Sequence, residues 1–242
     1  MMNTINTKKL LLYIFIPTAV LSLSYLILGH YCSMPHILLF CILGTFTLVP
    51  IELGIILSAG KKENGSFSLK SAFVGQEKVP VWKIVLIAFL LFCLAGLLSI
   101  TVAPLENTIL APVRQAVFNR LPVGFDWQNI GYVKTYPKAV LIVTCVYYGI
   151  FNVIIGPVTE ELFFRGYLTS HFKKQNSLTP VLIVILFSLY HFWLPFNNVF
   201  RILAFGPAAF IAYKKKNIYI SMCFHCMCNL FSVVGFVLEV IR

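Results

Sequence analysis

Repeated apolar runs long enough to cross a bilayer constrain this chain more than any other feature. They fall at about 10–29, 35–59, 81–103, 138–156 continuing toward 172, 179–195, 199–213 and 217–240. A helix rises about 1.5 Å per residue, so some ~18–20 apolar residues cover ~30 Å of hydrocarbon. The sequence therefore predicts an all-α fold, a polytopic transmembrane helix bundle of about seven spans forming one integral membrane domain over residues 1–242. The stretch from Pro104 to Pro137 contains Pro112, Pro122, Gly124, Asp126 and Gly131 and reads as an interfacial helix plus loop; an eighth span there stays open.

Composition excludes water as the main solvent: 59% of the residues are hydrophobic and 11% charged, where soluble domains carry about 25% charged residues. The mean hydropathy is +0.88. A net charge of +11 does not point to nucleic acid, because the basic residues lie in short clusters at the ends of apolar runs, as topology signals beside anionic lipid do. Placing the N-terminus in the cytoplasm puts Lys8, Lys9, Lys61, Lys62, Lys70, Lys78, Lys83, Lys173, Lys174, Lys214, Lys215 and Lys216 inside. Arg114, Arg120, Lys134, Lys138, Arg201 and Arg242 are then outside and Arg165 is intramembrane, so the asymmetry of twelve against six favours that orientation. Lys8 and Lys9 precede an apolar stretch without a small-x-small cleavage site, which reads as a retained first helix. The seven cysteines are odd in number and most lie within apolar runs, so they read as packing residues.

Against this background the acidic residues stand out, because a charge at mid-bilayer costs about 2.5–3.5 kcal/mol on insertion scales and therefore faces a partner or a cavity. Glu239 ends the last span and reaches toward headgroups, while Glu52 is expected to pair with a buried cation. Gly156-Pro157-Val158-Thr159-Glu160-Glu161-Leu162-Phe163-Phe164-Arg165-Gly166 places two carboxylates and an arginine in one apolar helix, which Pro157 is expected to kink. Glu161 and Arg165 are four apart and predict an ion pair. Glu160 is rotated by about 100° from that pair and needs another role. His191 lies about twelve residues into the next span, and His225 and Asn229 share a face of the last one. Each of these alone is open to a plain packing or helix-bridging role. Their depths agree, however: measured from Lys173, Thr179 and Lys216, the residues Glu160, His191 and His225 lie roughly 14–20 Å from the lysine-rich ends of their helices. That agreement predicts a shared aqueous cavity opening toward the cytoplasm.

Glu160-Glu161-x-x-x-Arg165, Phe187-x-x-x-His191 and His225-x-x-x-Asn229, in this order on successive apolar helices, resemble the CAAX-protease and bacteriocin-processing (CPBP, or Abi) family of intramembrane endopeptidases, which includes the type II CAAX prenyl endopeptidase. The similarity covers a catalytic motif core at about 138–235. It implies that Glu160 is a general base, that His191 helps to hold and activate the attacking water, and that His225 and Asn229 stabilise the tetrahedral oxyanion. Glu161 and Arg165 are then scaffold. This division is chemically reasonable, since a carboxylate removed from bulk water is a better base, and fixed donors facing an oxyanion are each worth ~3 kcal/mol. A glutamate-activated water requires no cofactor; zinc is the alternative, with His191, His225 and Glu160 as its ligands. Cys223, Cys226 and Cys228 beside His225 read as packing, Cys223 and Cys226 being on a different face.

The expected function is hydrolysis of a peptide bond in a membrane-associated peptide or protein, prenylated or leader-bearing, with lipid as the other partner and no nucleic acid. Two other classes stand beside it. One is a catalytically silent bacteriocin-immunity or scaffold protein, which loss of a motif residue would have favoured. The other is a proton-coupled transporter, for which an internal repeat would have been a sign.

Overall fold

The computed structural model describes residues 4–127, 129–173 and 175–242. The chain is a bundle of helices, α1 (Thr7–Gly29), α2 (His36–Phe46), α3 (Leu48–Asn64), α4 (Val81–Phe118), α5 (Ile130–Val133), α6 (Lys138–Ile150), α7 (Gly156–Glu161), α8 (Thr179–Tyr190), α9 (Asn198–Lys214) and α10 (Ile218–Ile241). Among the described residues there is no strand beyond a single Ile5–Phe172 bridge. Helices are the expected solution in lipid, because each satisfies its backbone groups within its own segment.

Five helical stretches are long and apolar enough to span: 7–29, 36–64, 81–118, 138–168 and 218–241. The two further spans expected over 179–195 and 199–213 are instead α8, of 12 residues, and α9, of 17. At about 1.5 Å per residue these measure ~18 and ~26 Å, short of ~30 Å of hydrocarbon. They pack on each other as a hairpin. The region from Pro104 to Phe118 also departs from expectation, since α4 continues through both Pro104 and Pro112 for 38 residues. A proline removes one backbone bond and kinks a helix, and neighbouring helices in a membrane bundle re-satisfy the freed groups. The remaining stretch to Pro137 forms short turns and α5, with no eighth span among the described residues.

The interior and exterior are inverted relative to a soluble protein. Leu23, Ile27, Leu97, Ile100 and Phe231 are exposed on the outer faces, whereas Thr18, Glu52, Thr144, Glu161 and Ser188 are fully buried. α1 shows the pattern well: Leu10, Ile14, Leu21 and Tyr25 recur on its inward face, and the helix starts with the Asn6 side chain accepting from Lys9 N at 2.8 Å. A second packing centre joins α4, α9 and α10 through Ala88, Ala95, Ala204, Ala208 and Phe224. Small residues there let the backbones approach closely.

The lysine-bearing segments gather at one end. Ile5 N donates to His171 O (2.9 Å), His171 Nε2 lies 2.9 Å from Glu63, Ser71 donates to Glu63 (2.8 Å), and Glu77 N donates to Lys216 O (2.7 Å). These bonds tie the start of α1, the end of α3, the approach to α4 and the α9–α10 turn together. Lys174, counted with this cluster, lies outside the described residues. Arg201, counted on the opposite side, is buried inside the bundle, so it is no topology signal and its removal from that tally widens the asymmetry.

Candidate active site

The segment 151–168 leaves regular α-helical geometry twice. It is π-helical over Phe151–Ile155 and again over Leu162–Leu168, on either side of α7. Pro157 sits in the first turn of α7; its ring displaces the preceding turn, and the wider π turn accommodates it. The expected kink is thus spread over a widened turn. Gly166 lets the second π segment lie against the short helix Leu69–Ala72, where an added Cβ would stand 2.6 Å from the Ala72 carbonyl oxygen.

The glutamate pair divides as its spacing predicts. Arg165 Nη1 lies 3.2 Å from Glu161 Oε1, with both side chains almost wholly buried. The guanidinium stacks over Phe187 at 4.1 Å and faces Phe205 at 5.9 Å. From α10, His225 Nδ1 donates to the same Glu161 oxygen at 3.1 Å, and its Nε2 lies 3.8 Å from Glu160 Oε2. Two spans therefore bring Glu160, Glu161, Arg165 and His225 into one cluster. Glu160 also stands within electrostatic reach of Glu52, Arg165 and Arg201.

His191 and Asn229 adjoin the cluster without bonding to it. α8 ends at Tyr190, so His191 is its C-cap rather than a mid-span residue, and Nδ1 donates to Phe187 O at 2.7 Å. Its ring packs against Phe187 (4.7 Å), which in turn packs against His225 (5.9 Å). Asn229 Nδ2 donates to Asn152 O at 2.8 Å, within the first π segment. A π turn leaves carbonyls misaligned with the helix axis, and here a side chain from α10 takes one of them.

Four buried groups were not legible in the sequence as parts of this site. Glu52 was expected to meet a cation; its partner is the Tyr190 hydroxyl, which donates to Oε1 at 2.6 Å. Thr18, the middle residue of α1, donates to the Tyr190 carbonyl oxygen, so α8 stops at mid-bundle. Arg201 spans the break that follows: Nη1 donates to Ser188 O (3.1 Å) and Asn198 Oδ1 (3.3 Å), and Nη2 to Leu194 O (3.1 Å). On the other side of the break, Glu106 accepts from Val199 N and Phe200 N, each at 2.8 Å. A cation at a helix C-terminus and a carboxylate at an N-terminus each match the local dipole. Irregular backbone at membrane depth needs this kind of satisfaction. The signal available in advance was an arginine and a glutamate in apolar surroundings, but the Ser188 carbonyl is 13 residues from Arg201 and the Val199 amide 93 from Glu106.

Two cavities flank the cluster. One, of about 600 Å³, opens at the lysine-rich end and reaches Arg165. The other, of about 870 Å³, lies toward the opposite end and reaches Asn152 and Trp193. Neither of these two is lined by Glu160, His191 or His225, the three residues expected to share a cavity open to the lysine side. Arg165, stacked on Phe187 and Phe205, stands between the lysine-side cavity and the glutamates.

Among the described residues no three His, Cys, Asp or Glu side chains stand together as metal ligands. Nδ1 of His191 donates to Phe187 O and that of His225 to Glu161, which leaves Nε2 as the open nitrogen of each ring.

Residues 142–231 match the family model described as type II CAAX prenyl endopeptidase Rce1-like. No curated protein and no solved structure matches the chain.

Proposed function

We propose, from the Rce1-like domain over residues 142–231, that this integral membrane protein is a protease that cleaves membrane-associated peptides with a water activated by Glu160. The observation that carries this reading is the convergence of Glu160 and Glu161 on the two nitrogens of His225. It separates the two carboxylates by task. Glu161 is held through Oε1 by Arg165 and by His225 Nδ1–H, whereas Glu160 has only the 3.8 Å approach of Nε2. A carboxylate not held in an ion pair is the one better able to take a proton.

The reaction follows from these positions. A water lodged between Glu160 and His191 gives a proton to Glu160 as its oxygen attacks the peptide carbonyl. That proton is then shared between Glu160 Oε2 and His225 Nε2. From there it is a donor first to the tetrahedral oxyanion and then to the leaving amine as the C–N bond breaks. Asn229, one turn beyond His225, supplies a second donor to the oxyanion once it leaves Asn152. Glu161 and Arg165 fix the ring of His225, as a carboxylate fixes a catalytic imidazole elsewhere. No step runs through a metal. Treatment of the purified protein with a strong chelator is expected to leave activity unchanged; loss of activity that zinc restores would refute this.

The N-terminus is placed in the cytoplasm, on the strength of the lysine distribution. The peptide itself is of the membrane-bound class, prenylated or leader-bearing. The test is a comparison of membrane-peptide profiles from cells carrying wild type or Glu160→Gln. Intact precursors are expected to accumulate only with the variant, and identical profiles would remove the protease reading in favour of a silent membrane protein.

A further inference from the structure

The cavity of about 600 Å³ at the lysine-rich end is not used by the chemistry above. Its described walls carry Lys173, Lys214, Lys216 and Arg165 and no carboxylate, with Ser170, Gln76 and Gln175 as further polar groups. Deeper in, its walls are apolar and small, from Pro180 and Ile183 on α8 to Ala209 and Ala212 on α9. Arg165 supplies the second observation. Its side chain is 3% exposed, and its Nε and Nη1 make no hydrogen bond, although Nη1 lies 3.2 Å from Glu161. Buried guanidinium donors are rarely left so, and an acceptor reaching them from the cavity would satisfy them.

The charge balance favours a phosphate over a single carboxylate. Lys216 is already matched by Glu77 at 2.8 Å, a contact that holds its ammonium above its ordinary pKa. Arg165 is likewise paired with Glu161, but Lys173 and Lys214 line this space without a carboxylate beside them in its described walls, and their two charges exceed what one peptide C-terminus would offset. The location agrees, since basic pockets between helices at the lysine-rich face meet anionic headgroups. We propose that this cavity binds the phosphate group of an anionic amphiphile, with the phosphate against Lys173 and Lys214 and an apolar chain along the α8–α9 wall. An amphiphile there would brace the hairpin whose far end carries His191. The proposal stands apart from the protease reading, because binding is measured without turnover.

Native mass spectrometry of the detergent-purified protein tests it, with phosphatidylglycerol, phosphatidylcholine and inorganic phosphate as probes. Phosphatidylglycerol is expected to be retained about tenfold better than phosphatidylcholine. Lys173→Gln with Lys214→Gln should weaken that retention by at least about fivefold, while Lys134→Gln, at the opposite end, should not change it. Thermal unfolding without lipid serves as the folding control for each variant. Displacement of phosphatidylglycerol by millimolar inorganic phosphate would assign the site to the phosphate group alone; resistance to displacement would assign it to the intact lipid. Equal retention of the two lipids, or a double variant that binds like wild type, overturns the proposal. Displacement by a peptide with a free C-terminal carboxylate, with the same lysine dependence, overturns it in favour of a peptide site.

Discussion

The two halves of the site leave regular helix by opposite routes. Around Glu160 the helix widens into π turns but never stops, and its polar groups are held by neighbours within the same stretch or one span away. Around His191 the helix ends at mid-bundle, and the exposed backbone is taken up by Thr18, Arg201 and Glu106 from three other helices. Widening keeps most backbone bonds and turns a side chain by a fraction of a turn. Breaking gives up bonds and frees a whole loop to place a histidine, at the cost of charged clamps in a low-dielectric interior. The first half should therefore fail by losing an ion pair, the second by losing the satisfaction of backbone carbonyls.

The largest stability effect is expected in the widened half. Glu161→Ala strands the Arg165 guanidinium in a buried site and removes the acceptor of His225 Nδ1, a loss of about 3–5 kcal/mol for a broken buried pair. Folded yield in detergent should drop sharply. If Glu161→Ala folds as well as wild type, the pair is not what holds this half together.

Next is the broken half. Arg201→Gln leaves Ser188 O and Leu194 O short of donors, each orphan costing about 1–3 kcal/mol. Thermal unfolding should show a smaller loss than for Glu161→Ala, with kcat reduced more than KM is raised because His191 is displaced. Arg201→Lys should recover only part, since an ammonium does not reproduce the fork that reaches both carbonyls. A variant with normal kcat would mean that the clamp is structural only.

Thr18→Val is nearly isosteric and removes one hydroxyl donor from the Tyr190 carbonyl, so the expected cost is about 1 kcal/mol. Its unfolding midpoint should shift least of the three. A loss as large as that of Arg201→Gln would make α1, not α9, the main support of the break.

The contrast also explains what the sequence revealed. Pro157, the adjacent glutamates and Arg165 lie within nine residues, so the ion pair and the distortion could be read from local spacing. His225 and Asn229, four apart, were legible as one face for the same reason. The early end of α8 was not, because nothing in the apolar run from Thr179 stops a helix before Pro195. What ends it is tertiary: a hydroxyl from α1 and a guanidinium from α9 offer the last carbonyls better partners than another helical turn. The continuation of α4 through two prolines was hidden likewise, since neighbouring helices decide whether the freed groups are satisfied. Glu52 was marked as out of place, but only the folded bundle shows that its partner is the Tyr190 phenol.

The central claim is that two neighbouring carboxylates have separate tasks, and the most direct measurement compares Glu160→Gln with wild type as purified, folded protein cleaving a membrane-peptide substrate. The account expects an unchanged unfolding profile, because Glu160 makes no hydrogen bond to the bundle comparable with those of Glu161, and a fall in cleavage rate of about 10²–10⁴-fold. Cleavage by Glu160→Gln at the wild-type rate would contradict it and move the base to another group.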